Sequence, residues 1–88
     1  MTEKELTVTN ELGLHVRPAV LIVQKCGSFK SEIWLIKGDK RVSARSIMNL
    51  LSLQAPRGTH LKIMAEGDDE REAVEAIYKL FEENFGED

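Results

Sequence analysis

The sequence predicts a two-layer α/β sandwich, a mostly antiparallel sheet with its helices on one face. Two kinds of hydrophobic period carry this prediction. Two segments alternate cleanly, as strands with one buried and one solvated face do, and others carry apolar residues at helical spacing. Glycines, prolines and small polar residues fall between these segments, where turns belong. Read in order, the elements run βαββαβα, which places the helices together on the apolar side of the sheet.

Lys4 to Thr9 alternate, with Leu6 and Val8 on one face and Thr7 and Thr9 on the other, a half-buried strand. Asn10 to Gly13 make a turn. From Val16 the apolar positions are Val16, Ala19, Val20, Val23 and Cys26, a helical stripe ended by Gly27. Glu32 to Lys37 is rich in strand formers. "KGDK" then puts Gly38-Asp39 where a two-residue hairpin loop belongs, and Arg41 to Ala44 is the returning strand. Ser46 opens "SIMNLLSL", with Ile47, Leu50 and Leu51 at helical spacing, and "QAPRGT" breaks it. His60 to Glu66 alternates again, with Leu61, Ile63 and Ala65 inward, until Gly67. The last helix starts near Asp68 or Asp69, where Asp69 and Glu72 have the spacing of a capping box. It runs on Ala73, Val74, Ile77, Leu80, Phe81 and Phe85.

Composition narrows the function classes. The 88 residues suit one domain, 1–88, able to bury a core without disulfides or a structural metal. Hydrophobic residues make up 42% and charged residues 31%, which argues against disorder. The one cysteine, Cys26, rules out an internal disulfide and a cysteine metal cluster, and its place in an apolar stripe reads as a buried small hydrophobe. A net charge of −3 disfavours nucleic acid as a partner. No apolar run reaches the length of a membrane span, and "MTEKELTVTN" lacks the core of a signal peptide, so a cytoplasmic protein is expected.

The chemistry concentrates in "GLHVRPAVLIVQ", which begins at Gly13. If Val16 begins the helix, His15 is its N-cap, and the amides of Val16, Arg17 and Ala19 are among those with no intrahelical partner. Pro18 lacks an amide, at no cost in a first turn. Outward amides and the helix dipole make an anion site, and Arg17 adds a permanent positive fork suited to phosphate oxygens. Imidazole is a nucleophile near neutral pH, so the group can receive a phosphoryl group and give it away again. The competing reading is that His15 merely caps a helix. Histidine is not a favoured cap, and a cation beside a helix N-terminus opposes the dipole unless an anion is expected there. No second histidine, cysteine or carboxylate stands at ligand spacing from His15, so no metal is expected.

"GLHVRPA" followed by "SARSIMNLLSL" resembles the histidine-containing phosphocarrier (HPr) family of the bacterial phosphotransferase system, over nearly the whole chain. The resemblance implies an open-faced sandwich, four antiparallel strands in the order 1-4-2-3 under three helices. It implies that His15 takes a phosphoryl group on Nδ1 from enzyme I, charged by phosphoenolpyruvate, and passes it to a sugar-specific or nitrogen-branch acceptor domain. Arg17 then matches the arginine that pairs with the phosphoryl group. Ser46 matches the serine that an HPr kinase/phosphorylase modifies in many relatives, although serine is also an ordinary helix cap. Val16, Val20, Ile47, Met48 and Leu51 match a docking patch for these partners. Such a carrier needs no cofactor, works as a monomer and does no small-molecule catalysis of its own.

Departures from the common pattern bear on partner choice. Leu12 stands where many members carry a small polar residue, Asn49 replaces a usual glycine, and Leu51 a usual methionine. Gln24, Gly27 and Asn49 stand where enteric relatives are basic. "NELGLH" and "EENFGED" look like the nitrogen-related branch, "ARSIM" like the sugar branch. His60 reads as a strand-edge residue, and Trp34 points away from Ile33 and Leu35, toward the open side of the sheet. A regulatory binding module, switched by phosphorylation at His15 or Ser46, stands as the second reading.

Overall fold

Residues 1–87 are described by the structure, a computed structural model. The chain forms β1 (Thr2–Thr7), α1 (Val16–Cys26), β2 (Glu32–Lys37), β3 (Lys40–Ser43), α2 (Ile47–Ser52), β4 (His60–Glu66) and α3 (Glu70–Glu82), and a 3-10 turn at Asn84–Gly86. The sheet order is β1-β4-β2-β3, and every neighbouring pair is antiparallel. This is the predicted sandwich, with the strand order that the resemblance implied.

Alternation decides which face is covered. Leu61, Ile63 and Ala65 of β4 and Ile33 and Leu35 of β2 are buried under the helices. They meet Ala19, Ile22 and Cys26 of α1 and Ala73, Val74, Ile77 and Phe81 of α3 in one core. Each large apolar side chain sealed there contributes about 1.5–3 kcal/mol relative to leaving it in water. The opposite face carries Glu3, Glu5, Lys62, Trp34, Ile36 and Arg41, as the registers require. Arg41 stacks over Trp34 with its guanidinium carbon 5.1 Å from the ring centre. Trp34 pairs across to Met64, which is buried even though it belongs to this open face.

Cys26 is fully buried, and burial pushes its thiol up to about 11. Without a thiolate near neutral pH it has no nucleophile to offer, and it packs as the small hydrophobe the pattern suggested. Arg45 supplies a tie the sequence did not reveal. Its guanidinium donates to the carbonyls of Cys26 (2.9 Å), Phe29 (2.8 Å) and Ser31 (2.8 Å), fastening the end of α1 to the start of β2.

Several boundaries differ from the sequence reading. β1 starts at Thr2 and stops at Thr7, because its partner β4 begins at His60, opposite Thr7. Val8 still lies buried, fixed by bonds to Thr59 and Gly58. β3 is Lys40–Ser43, shifted back by one because Lys37 and Lys40 pair directly across the Gly38-Asp39 loop. The Asp69–Glu72 capping box does not form. Asp69 makes no cap bond; its carboxylate accepts from the amides of Lys30 (2.9 Å) and Ser31 (3.0 Å) and from the Ser31 hydroxyl, which hold it below the usual carboxylate range. Glu70 takes the reciprocal role, accepting from the Gly67 amide at 3.2 Å. α3 ends at Glu82, so Phe85 lies beyond the helix, buried in the 3-10 turn with φ +55 and packed edge-on against Phe81.

Candidate functional site

The site begins with the turn that delivers His15. Gly13 has φ +69, and a Cβ there would lie 2.5 Å from the Ala55 carbonyl oxygen and 2.7 Å from Pro56 Cα. Only glycine suits both the left-handed backbone and this close approach. Leu14, buried, donates its amide to the same Ala55 carbonyl at 2.9 Å, so the turn is stapled to the loop after α2.

His15 is the N-cap of α1, in extended conformation, and its side chain makes no bond to the helix. Its carbonyl accepts from Ala19 N at 3.1 Å, which corrects the expectation that the Ala19 amide is free. The N-cap carbonyl takes the first intrahelical bond, so that amide is the first one satisfied. With Pro18 lacking an amide, Val16 and Arg17 carry the amides without a partner among the described residues. No acidic residue occupies the first turn. Arg17 is exposed and forms no salt bridge or hydrogen bond among the described residues, while Pro18 behind it is buried.

The imidazole is about one-third exposed, and its Nε2 lies 2.8 Å from Oε2 of Glu87. The other carboxylate oxygen of Glu87 accepts from Nδ2 of Asn10 at 3.0 Å, and that amide also donates to the Gly13 carbonyl at 2.7 Å. These bonds, the Asn10 one foremost, with the Arg17 charge nearby, lower the Glu87 carboxyl below its ordinary range. Asn10 and Glu87 were missed in the sequence. The chain separates His15 from Glu87 by 72 positions, and "FEENFGED" reads locally as a solvated end.

Ser46 is the N-cap of α2, and its Oγ accepts from Asn49 N at 3.2 Å. Met48 is 77% exposed and Val16 58% exposed, while Val20, Ile47 and Leu51 are half-buried and Leu50 is sealed in the core. The two helices carrying them pack against each other. Leu12, at 70%, is another exposed large hydrophobe, in the turn leading to His15. His60 bonds Thr7 Oγ1 through Nδ1 at 2.8 Å, an exposed cross-strand pair consistent with a strand-edge residue. Among the described residues, no three His, Cys, Asp or Glu are arranged to hold a metal, and no helix is long and apolar enough to cross a membrane.

A family model described as the PTS HPr component phosphorylation site matches residues 2–83. The phosphocarrier protein HPr of Xylella fastidiosa (strain Temecula1) is 43% identical over 88 residues, covering 100% of this chain and 99% of that protein. The crystal structure of HPr-C-His from Thermoanaerobacter tengcongensis superposes with a TM-score of 0.95 at 46% identity, covering 100% of this chain and 99% of the other. The Bacillus subtilis catabolite repression protein Crh, crystallised as a swapped dimer, matches with a TM-score of 0.77 at 39% identity, over 96% of this chain and 97% of its own. With a histidine at the N-cap position of α1 and these matches along its length, the chain belongs to the HPr phosphocarrier family of the phosphotransferase system.

Proposed function

We propose that this chain accepts a phosphoryl group from enzyme I on Nδ1 of His15 and passes it to an acceptor domain of the phosphotransferase system. The observation that carries the reading is a cap residue that leaves its helix uncapped. The His15 side chain stands at the start of α1 without bonding to it, and among the described residues the Val16 and Arg17 amides are left without a partner, with the unpaired Arg17 side chain beside them. An anion is what satisfies such a helix end. In the transfer, the Nδ1 lone pair forms the N–P bond as the donor's bond to phosphorus breaks and its electron pair leaves with the donor. Passing the group on reverses this, with His15 as the leaving group. The two amides and Arg17 stabilise the charge on the phosphoryl oxygens in both directions.

The exposed Met48 and Val16, with half-buried Val20, Ile47 and Leu51, form the docking surface for enzyme I and for sugar-specific or nitrogen-branch acceptors. Met48 suits a surface that meets several partners in turn. Phosphorylation of Ser46 by an HPr kinase/phosphorylase adds negative charge within that surface and weakens docking to acidic partner faces. Similarity to the Bacillus subtilis catabolite repression protein Crh supports a second reading as a regulatory module. His15 with Arg17 favours the carrier, since regulation through Ser46 alone has no use for them.

Incubation with phosphoenolpyruvate and enzyme I, followed by intact mass, tests the proposal. One acid-labile phosphoryl group is expected. An unchanged mass with active enzyme I, or an acid-stable label, contradicts it.

A further inference from the structure

We infer that Glu87 is a positioning residue for the phosphoryl step: its carboxylate holds the proton on His15 Nε2 and so keeps Nδ1 as the nitrogen with a free lone pair. This rests on the carrier reading above. A carboxylate only accepts hydrogen bonds, so across the 2.8 Å contact Nε2 must be the donor. A neutral imidazole carries one N–H, and fixing it on Nε2 leaves the lone pair on Nδ1. A carboxylate on one ring nitrogen that sets the role of the other is a general device for histidine chemistry.

The carboxylate is itself aimed. Its second oxygen accepts from Asn10, a side chain 1% exposed, whose same nitrogen grips the Gly13 carbonyl. That carbonyl also accepts the His15 amide at 3.1 Å. One buried amide thus fixes both the turn that carries the histidine and the acid that orients its ring.

The backbone bringing Glu87 there is unusual. Asn84, Phe85 and Gly86 have φ of +52, +55 and +77, so two consecutive non-glycine residues stand in the left-handed region. Such conformations persist only where their surroundings enforce them. Here Phe85 is buried against Phe81, and Thr9 donates to the Asn84 side chain at 2.6 Å. The turn directs the chain back over the start of α1, where Glu87 is held between Asn10 and His15.

During transfer the proton stays on Nε2 while Nδ1 bonds phosphorus, so the ring gains positive charge facing the carboxylate. When the phosphoryl group leaves, the electron pair of the N–P bond returns to Nδ1 and that charge is gone. Glu87 thereby favours acceptance without touching the phosphoryl oxygens.

The test compares wild type, E87A and E87Q by ring 15N NMR of His15 and by the rate of phosphoryl acceptance from enzyme I. Wild type should show the proton on Nε2, with Nδ1 unprotonated. E87A should mix the two tautomers and accept about three- to tenfold more slowly, the modest size reflecting a partly solvated pair. E87Q, with one acceptor oxygen for two donors, should fall between them. Melting should hardly move, which separates positioning from a structural role. Equal acceptance rates in wild type and E87A, or a wild-type ring protonated on Nδ1, overturn the inference and leave the carrier reading standing. A wild type that takes up no phosphoryl group overturns both.

Discussion

The starts of α1 and α2 each follow a cap residue in extended conformation and are treated in opposite ways. Both cap residues are extended, at φ −102 for His15 and φ −122 for Ser46. Ser46 closes its helix by accepting the Asn49 amide, whereas His15 turns its ring to Glu87 and leaves α1 open. A serine cap is worth about 0.5–2 kcal/mol over alanine, so α1 forgoes stability that α2 keeps. The forgone bond leaves room for a ligand. An open helix end beside Arg17 is prepared to receive an anion, and a closed one can be modified but starts from a satisfied state.

Exchanging the two kinds of start should have the largest effect. His15→Ser gives α1 the cap that α2 has, and phosphoryl acceptance should vanish while the thermal midpoint holds or rises, checked by intact mass and by melting. Loss of the fold would instead mean that His15 is structural. Keeping α1 open but reversing the charge beside it comes next. Arg17→Glu should slow acceptance by at least about tenfold, equivalent to about 1.4 kcal/mol of barrier, because a carboxylate then faces the phosphoryl oxygens. Since Arg17 is exposed and has no partner among the described residues, calorimetry should show little change in stability.

At α2 the expected effects are smaller and divide the other way. Ser46→Ala should cost about 0.5–2 kcal/mol of stability and leave transfer nearly intact. Ser46→Asp keeps an acceptor at the cap, so the melting point should hold, while transfer from enzyme I slows, more so at low salt. Measuring both variants across salt concentrations separates the cap from the switch. Equal transfer rates for wild type and Ser46→Asp at low salt make Ser46 a cap alone.

Much of this was legible in the sequence because it is local. The alternation of Leu61, Ile63 and Ala65 and the spacing of Ala73, Val74 and Ile77 report burial directly, and each lies where its period put it. Met48 and Leu50 came out on opposite sides of α2 for the same reason. His15 and Arg17 were visible because their residue types are poor choices for the start of an ordinary helix. What escaped depends on contacts distant in sequence. Asp69 has the spacing of a capping residue, but β2 brings the Ser31 and Lys30 amides within its reach and these win its carboxylate. Phe85 continues the helical stripe by period, yet it reaches the core from a left-handed turn after the helix has ended. Glu87 could be found only once that turn had been seen to close on His15.

The central claim, that α1 is left open for a phosphoryl group on His15, is tested most directly by amide NMR before and after phosphorylation by enzyme I. The amides of Val16 and Arg17 should show the largest downfield shifts in the chain, with a phosphorus coupling assigned to His15 Nδ1. Those of Ile47, Met48 and Asn49 at the start of α2 should shift far less. A phosphorylated protein in which the Val16 and Arg17 amides stay in place would contradict the account.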